Sequence, residues 1–525
     1  MTGTIYSLIP PLIAILMVLL TRRVLLSLGV GIIAAALLIS NFSLIGASTI
    51  IWNSVRGIFV SDGALNTWNV YILLFLLILG MITAFISISG GSRAFGEWAL
   101  QSVKTRTGAK LITAFLGVLI FIDDYFNSLT VGQVSRPITD RHRISRAKLA
   151  YLIDSTSAPI CVISPISSWG AYIIALIGTI LATHGVTEFS ALSGFIQMIP
   201  MNLYVITTLL IVFMVSLYNI NIGSMKVHEQ RAVKTGEVVD SSKDVPGELT
   251  QDLPESKTGS VADLIVPIIA LIVGTVAAMI WTGLTATEGE VTIFAIFENT
   301  DVSASLLYGG VFGLAVAIVM LLKQVIITKS IGFAVVPKGM IEGIKSMLPA
   351  VYILLFAWAI VDLIGQLETG SYLAGIVEQS NMNIAFLPVV MFLIAGVMSF
   401  ATGTSWGTFG IMLPIAGEIA AATEISLLLP ALAAVLAGSV FGDHCSPISD
   451  TTILSSTGAG SNHIDHVVTQ LPYALISAII SAVGYILLGL TDSTVIALAA
   501  VIVMVLIVIF GLKTNKSNVE LKNAS

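Results

Sequence analysis

The chain has 525 residues, of which 56% are hydrophobic and only 10% are charged, and its net charge is −6 at pH 7. Soluble domains carry roughly 25% charged residues, so this composition excludes an ordinary soluble protein and indicates one whose main solvent is lipid. No basic face with interleaved aromatic residues suggests nucleic acid, so we expect none as a partner.

Apolar runs near the length of a membrane span, about 20 residues, recur along the chain. They predict an all-α polytopic membrane protein surrounded by membrane lipid. Several runs are too short to span alone, so we expect polar motifs to complete them or the helices to be re-entrant. The runs cover residues 5–20, 24–40, 68–88, 111–122, 170–182, 203–217, 261–280, 304–322, 347–363, 384–400, 427–441, 471–490 and 495–512.

The first polar motif reads Phe-Ile-Asp-Asp-Tyr-Phe-Asn-Ser and contains Asp123, Asp124, Asn127 and Ser128. Acids are costly within a membrane, so their presence predicts a binding site or an ion path. Neighbouring helical residues point about 100° apart, so we expect one acid to bind the ion and the other to contact the backbone or polar neighbours. The alternative is that these acids cap a helix at the membrane surface.

Asp154 and Ser157 follow in a second polar stretch, Asp-Ser-Thr-Ser-Ala-Pro. We expect both to face the ion or substrate, with a structural pairing of Asp154 to Arg146 or Lys148 as the alternative. Unwound backbone frees carbonyls for cations, and Gly and Pro are typical of such breaks. The candidate breaks in the N-terminal half are Gly132, Pro137, Pro159 and Pro165.

A charged segment interrupts the apolar pattern between the two halves of the chain. Its charges, Gly and Pro predict a solvated linker. The predicted domains are therefore an N-terminal membrane repeat (1–222), a charged soluble linker (223–260), a C-terminal membrane repeat (261–512) and a polar tail (513–525).

The C-terminal half carries two more polar motifs. Thr402, Thr404 and Ser405 lie among glycines, and the string Gly-Asp-His-Cys-Ser-Pro-Ile-Ser-Asp-Thr-Thr follows an apolar run directly. Carboxylates, hydroxyls and main-chain oxygens suit Na⁺ or H⁺ better than a soft metal. His444 is a candidate for proton transfer because its ordinary pKa lies in the physiological range, with a hydrogen-bonding role as the alternative. The candidate ligands in this string are Asp443, Ser446, Asp450 and Thr451.

The two halves resemble each other. Tyr-Ile-Leu-Leu-Phe occurs at 71–75 and 352–356, Gly-Ser at 91–92 and 370–371, and Asp-x-x-Ser at 154–157 and 443–446. Matches in the same order predict two repeats, which we expect to be inverted, with broken or re-entrant helices meeting near the bilayer midplane.

The motifs at 122–127, 405–408 and 442–455 resemble the NhaC family of bacterial sodium/proton antiporters, which belongs to the ion transporter superfamily. The resemblance covers most of the membrane region. It implies secondary active transport, a multi-pass protein of the bacterial inner (plasma) membrane, and inverted repeats. The family also contains exchangers of small organic acids or amino acids of the malate/lactate type, so the resemblance leaves the substrate open.

These observations lead to the hypothesis of a Na⁺/H⁺ antiporter whose carboxylates are alternately protonated and bound to Na⁺. Asp123 or Asp124 from one repeat and Asp443 or Asp450 from the other face a shared cavity, and the Na⁺ ligands are assigned to Asp123, Asp443 and Asp450. No resident cofactor is expected besides the transported Na⁺ and H⁺. The sequence leaves the oligomeric state open, with a homodimer as one option.

An enzyme is the less favoured class. An intramembrane aspartyl protease needs Gly-x-Gly-Asp, whereas the chain reads Val-Phe-Gly-Asp up to Asp443. His463, Asp465 and His466 lack the ligand spacing of a zinc site. Cys161 and Cys445, the only cysteines, are expected to be free.

Overall fold

The computed structural model describes every residue except 1, 22, 62, 122, 166, 189, 241, 244, 246–254, 288, 290, 370, 371, 373, 374, 376–382 and 525. Within that part the regular structure is helical, apart from one hairpin that pairs Val60–Ser61 with Ala64–Leu65. Eight described helices are long and apolar enough to cross a membrane, or nine if the bent pair Ala191–Met201 and Leu203–Tyr218 is one span. The predicted all-α, multi-pass membrane fold is confirmed.

The N-terminal half and the segment that follows it form twelve α-helices. They are α1 (Ile9–Thr21), α2 (Val24–Ile39), α3 (Leu44–Phe59), α4 (Thr67–Ile88), α5 (Gly91–Ser102), α6 (Arg106–Leu119), α7 (Asp124–Arg141), α8 (Arg146–Val162), α9 (Ser168–Thr183), α10 (Ala191–Met198), α11 (Leu203–Tyr218) and α12 (Ser224–Thr235).

The C-terminal half continues with helices that are mostly longer. They are α13 (Ala262–Ala286), α14 (Ile293–Glu298), α15 (Val302–Leu322), α16 (Val335–Gln366), α17 (Leu387–Thr402), α18 (Ser405–Thr423), α19 (Leu428–Cys445), α20 (Asp450–Ala459), α21 (His463–Thr491) and α22 (Thr494–Ala524). Short 3₁₀ turns lie at Ile5–Leu8, Ile199–Met201, Ile384–Phe386 and Ile425–Leu427, and a π-helical turn at Lys323–Ile327 extends α15.

Glycines bring the long helices into backbone contact, as is usual where lipid supplies no hydrophobic force between helices. A Cβ atom on Gly80 of α4 would lie 2.2 Å from the carbonyl oxygen of Gly343 of α16. A Cβ atom on Gly438 of α19 would lie 2.1 Å from the carbonyl oxygen of Phe392 of α17. Since α4 and α16 come from different halves of the chain, the two halves pack directly against each other.

The polar helices α7, α8 and α20 pack together, and most of their residues are buried. A Cβ atom on Gly132 of α7 would lie 2.4 Å from the carbonyl oxygen of Gly458 of α20, so this glycine allows a close crossing. Because α7 continues through Gly132 and Pro137, and α8 through Pro159, the predicted breaks at these three residues are wrong. The chain does leave helix near Pro165, between α8 and α9.

The charged segment between the halves packs against the helices where it is described. Glu229 of α12 is 3% exposed, and it accepts hydrogen bonds from Arg106 Nη2 at 2.8 Å and from the Ser145 backbone N–H at 2.8 Å. Lys243 pairs with Asp465 at 2.6 Å. This part of the segment is therefore less solvated than its composition predicts, because its charges find partners on the membrane helices. Residues 246–254 lie outside the described part, and the domain boundaries stay predictions.

The predicted repeats place Tyr71 in α4 and Tyr352 in α16, two helices that pack together. The second copy of the Gly-Ser match, residues 370 and 371, lies outside the described residues. Inversion of the repeats stays a prediction.

Candidate functional site

The first helix break separates α6 from α7 and is held by two of the predicted site residues. Asp123 is the N-cap of α7 and accepts a hydrogen bond from the Phe126 backbone N–H at 3.0 Å. Asn127 Nδ2 donates to the carbonyl oxygen of Gly117 at 2.6 Å, which satisfies a group that the end of α6 leaves free. Asp123 thus takes the backbone role expected for one acid of the pair. It is 3% exposed, so it is not the exposed cap of the alternative interpretation.

Asp124 begins α7 and is 2% exposed. Its Oδ1 atom accepts a hydrogen bond from the indole Nε1 of Trp169 at 2.9 Å. Its Oδ2 atom is buried, and no hydrogen-bond partner for it is found among the described residues. One oxygen of this carboxylate is therefore fixed, and the other is available to a cation.

The second break separates α17 from α18. Gly403 has a φ of 71°, a left-handed conformation that favours glycine, and a Cβ there would lie 2.9 Å from the Ile448 carbonyl oxygen. Asp443 belongs to α19, but its carboxylate contacts Ser405, the first residue of α18. Its Oδ2 accepts hydrogen bonds from the Ser405 hydroxyl at 2.8 Å and from the Ser405 backbone N–H at 3.3 Å. Its Oδ1 is buried and accepts no hydrogen bond within the part of the chain that the structure describes. Asp443 thus repeats the arrangement of Asp124.

The third break separates α19 from α20. The Ser446 hydroxyl donates to the carbonyl oxygen of Phe400 at 2.8 Å and so satisfies the end of α17. Asp450 begins α20, and its Oδ2 accepts a hydrogen bond from the Tyr125 hydroxyl. Its Oδ1 accepts from the Thr451 backbone N–H at 2.9 Å. Unlike the two acids above, Asp450 has partners on both oxygens.

The acids lie close enough for their charges to interact. The negative charges of Asp123, Asp450 and Asp443 all act on Asp124. However, no three His, Cys, Asp or Glu side chains among the described residues are placed to hold one metal ion. The predicted set of Asp123, Asp443 and Asp450 therefore does not form a three-carboxylate Na⁺ site, because Asp123 caps α7 and Asp450 is held by Tyr125.

Asp154 forms a separate buried network at the crossing of α8, α20 and α21. Its Oδ2 atom accepts from Gln470 Nε2 at 2.6 Å and lies 3.0 Å from His466 Nε2. The Thr452 hydroxyl donates to Oδ2 and the Ser455 hydroxyl donates to Oδ1, each at 3.2 Å. The alternative pairing of Asp154 with Arg146 or Lys148 is wrong. Arg146 instead binds Asp140 through two bonds of 2.6 Å, and Lys148 Nζ lies 5.0 and 4.9 Å from the ring centroids of Tyr151 and Tyr473.

His444 is 2% exposed and has a hydroxyl on each ring nitrogen. Its Nδ1 lies 2.8 Å from Tyr204 OH, and its Nε2 lies 3.0 Å from Ser155 Oγ. These contacts support the hydrogen-bonding alternative, and proton transfer through His444 stays a prediction.

The remaining predicted ligands make local hydrogen bonds. Ser157 and Thr402 donate to carbonyl oxygens of their own helices, at 3.3 and 2.9 Å. Thr451 contacts Ser449 Oγ at 2.9 Å. Ser128 contacts Ser455 at 3.1 Å and so joins the Asp154 network, whereas Thr404 is the N-cap of α18 and its side chain makes no capping bond.

The residues that sequence reasoning missed are those that hold the acids from distant positions. Trp169 holds Asp124, Tyr125 holds Asp450, and His466 and Gln470 hold Asp154. Tyr125 lies inside the first motif and could have been named. His466 and Gln470 are four residues apart and therefore share a helix face, which is a weak signal.

Comparison with known proteins places this chain in a family. The model of the Na⁺/H⁺ antiporter family matches residues 160–490. An uncharacterized protein of Haemophilus influenzae is 46% identical over 518 residues, covering 98% of this chain and 96% of that protein. A malate-2H⁺/Na⁺-lactate antiporter of Bacillus subtilis is 33% identical over 161 residues, covering 29% of this chain and 32% of that protein. An arginine/ornithine antiporter of Halobacterium salinarum is 36% identical over 111 residues, covering 20% and 23%. The chain therefore belongs to the Na⁺/H⁺ antiporter family and is a secondary transporter rather than an enzyme.

Proposed function

We propose that the protein exchanges Na⁺ for H⁺ in the inner membrane of a bacterium, through Asp124 and Asp443. The observation that carries this proposal is that each of these buried acids has one oxygen fixed by a donor, while the other has no hydrogen-bond partner among the residues described. A carboxylate in this state needs a positive partner, because an unpaired charge is costly away from water. Either a proton or Na⁺ meets that need, and the two compete for the same oxygen.

The rest of the ion's coordination is assigned to neutral oxygens. Na⁺, like other hard cations, is bound by carboxylate, hydroxyl and main-chain oxygens, which helix breaks supply. Asp450, whose oxygens both have partners, supplies a nearby negative charge that favours a cation over an anion.

Exchange of a small organic acid is the second candidate, because one relative is named a malate-2H⁺/Na⁺-lactate antiporter. An organic anion would be expected to use the positive ends of half-helices. However, a carboxylate of the chain itself lies at the start of each of the helices α7, α18 and α20: Asp123, Asp443 and Asp450, respectively. This arrangement favours a cation as the transported species.

The test is Na⁺-dependent proton movement in proteoliposomes that contain purified protein. Asp124→Asn and Asp443→Asn should each abolish exchange, because an amide cannot alternate between a proton and Na⁺. Asp362→Asn is the matched control, since Asp362 is exposed on α16 and contacts only Gln366 among its described hydrogen bonds. Undiminished exchange in Asp443→Asn would refute the assignment. Proton movement that requires added malate, lactate or an amino acid would favour the second candidate.

A further inference from the structure

One tryptophan connects the carboxylates that we assign to the ion. Trp169 of α9 is 1% exposed, and its indole N–H binds Asp124 Oδ1 at 2.9 Å. The same ring contacts two aromatic rings of α18, Trp406 and Phe409, with centroids 5.7 and 5.6 Å away and edge-on geometry. The first turn of α18 in turn holds Asp443 through Ser405.

The backbone around Trp169 is tightly fixed. The Ser167 hydroxyl donates to the carbonyl oxygens of Cys161 and Ser164 at 2.7 and 2.8 Å, and it accepts from the Gly170 N–H at 2.9 Å. A Cβ atom on Gly170 would lie 2.1 Å from the Ser164 carbonyl oxygen, so the turn before α9 closes onto the helix. The indole is therefore directed at Asp124 from a helix start that the hydrogen bonds of Ser167 hold, and not by side-chain packing alone.

We infer that Trp169 is a positioning residue for transport, which orients Asp124 toward the ion and transmits the occupancy of that acid to α18. This inference rests on the proposed function, because it assigns a role to Trp169 only if Asp124 binds Na⁺. The indole donor fixes Oδ1 and leaves Oδ2 for the cation. When a cation draws Asp124 toward itself, the indole follows, and its ring edges press on Trp406 and Phe409.

Two substitutions separate the orientation of Asp124 by Trp169 from the transmission of its occupancy to α18. Trp169→Phe keeps an aromatic ring but removes the donor, so it should raise the KM for Na⁺ at least about tenfold, the ratio expected for losing a hydrogen bond to an ionised carboxylate. Its maximal rate should stay within about twofold of the wild-type rate, since the ring contact to α18 remains. Phe409→Leu keeps the indole bond but removes a ring contact, so it should lower the maximal rate and leave the KM unchanged.

Tryptophan emission gives a readout that a purely structural role would not move. Addition of Na⁺ to the wild-type protein should change the emission of Trp169, and the change should be absent in Trp169→Phe. Trp281→Phe is the matched control, because Trp281 of α13 is 59% exposed and contacts Tyr308 away from the acids. It should retain the emission change and the wild-type KM.

The inference is overturned if Trp169→Phe has the wild-type KM and emission change. It is equally overturned if Trp169→Phe and Trp169→Tyr both lose thermal stability together with the transport rate. That result would indicate that Trp169 contributes only to packing. Asp124→Asn separates this failure from failure of the proposed function. If Asp124→Asn still exchanges, the proposed function is wrong, whereas if it is inactive while Trp169→Phe behaves as wild type, only the role of Trp169 is wrong.

Discussion

Ser405→Ala tests how the start of α18 controls the ion site. The Ser405 hydroxyl donates to Asp443 Oδ2 at 2.8 Å in a fully buried setting. A hydrogen bond to a charged group contributes about 1.5 to 3 kcal/mol, which corresponds to about 10- to 100-fold in an equilibrium constant. Because the Ser405 backbone N–H remains as a donor at 3.3 Å, we expect the lower end of this range.

The direction of the change in KM follows because the Ser405 hydroxyl favours the ionised form of Asp443. Without it, the ionised carboxylate that binds Na⁺ is less stable, and a proton competes more strongly. The KM for Na⁺ at fixed pH should therefore rise about tenfold, while saturating Na⁺ restores most of the rate. The assay is Na⁺-dependent proton movement in proteoliposomes, measured over a series of Na⁺ concentrations.

Ser439→Ala is the matched control for this experiment. Ser439 is also buried, lies one turn before Asp443 on α19, and among the described hydrogen bonds its hydroxyl donates to the carbonyl oxygen of Val435 at 2.7 Å. Ser439→Ala removes a buried hydroxyl, as Ser405→Ala does, but this hydroxyl does not bind a carboxylate. The KM of Ser439→Ala for Na⁺ should therefore stay near the wild-type value. Equal KM values for the two variants would refute the reasoning, because they would show that the bond to Asp443 does not favour Na⁺.

Two further predictions concern stability. Gly458→Ala should lower the thermal transition of the purified protein, because its Cβ would lie 2.3 Å from the Ser128 carbonyl oxygen where α20 crosses α7. Gly365→Ala, with open space at its Cβ, should not lower it, and equal losses would contradict the steric argument. Burial lowers the pKa of His228 below its ordinary value of 6.5, and the opposing effects of its charged neighbours leave it lowered. The folded state then binds this proton less readily than the unfolded chain, so the packing of α12 should be stable above pH 6.5 and weaken as the pH falls below it. Hydrogen exchange of α12 should accelerate on acidification in the wild type but not in His228→Gln, and the same acceleration in both would exclude His228 as the cause. The charged neighbours that act on the pKa of His228 are Asp465 and Asp240, which raise it, and Arg231 and Lys243, which lower it.

Local chemistry explains which features could be predicted from the sequence. Long apolar runs predicted the membrane helices because lipid forces a chain to satisfy its backbone internally. Glycine or proline in the polar motifs of the C-terminal half lies at the breaks after α17 and α19, whereas the motif after α6 contains neither residue and its break lies ahead of the predicted Gly132 and Pro137. Pro137 and Pro159 were misleading because both lie inside continuous helices, and buried helices tolerate proline where neighbours satisfy the freed groups.

The partners of the acids could not be predicted in the same way. Trp169 reaches Asp124 across 45 positions, and Gln470 reaches Asp154 across 316. Such contacts depend on how whole helices cross, which periodicity and spacing within one motif do not encode. The sequence therefore predicted polar acids that the structure buries, but it left open which of Asp123 and Asp124 binds the ion. The structure makes Asp123 the N-cap of α7, and the assignment of Na⁺ stays a prediction.

The polar motifs serve the fold and the site together. A helix that ends inside a membrane protein leaves carbonyl groups without water, and donors satisfy such groups at the ends of α6 and α17. Asn127 closes the end of α6 by binding the carbonyl oxygen of Gly117, and Ser446 closes the end of α17 by binding that of Phe400. In the N-terminal half, Asn127 and Asp124 both belong to the first turn of α7, so closing α6 and presenting a carboxylate are a single local arrangement. In the C-terminal half the same two tasks fall on Ser446 and Asp443, which lie three residues apart at the end of α19 and act on the end of α17 and the start of α18. Polar residues in each motif therefore close a buried helix end close to a buried acid.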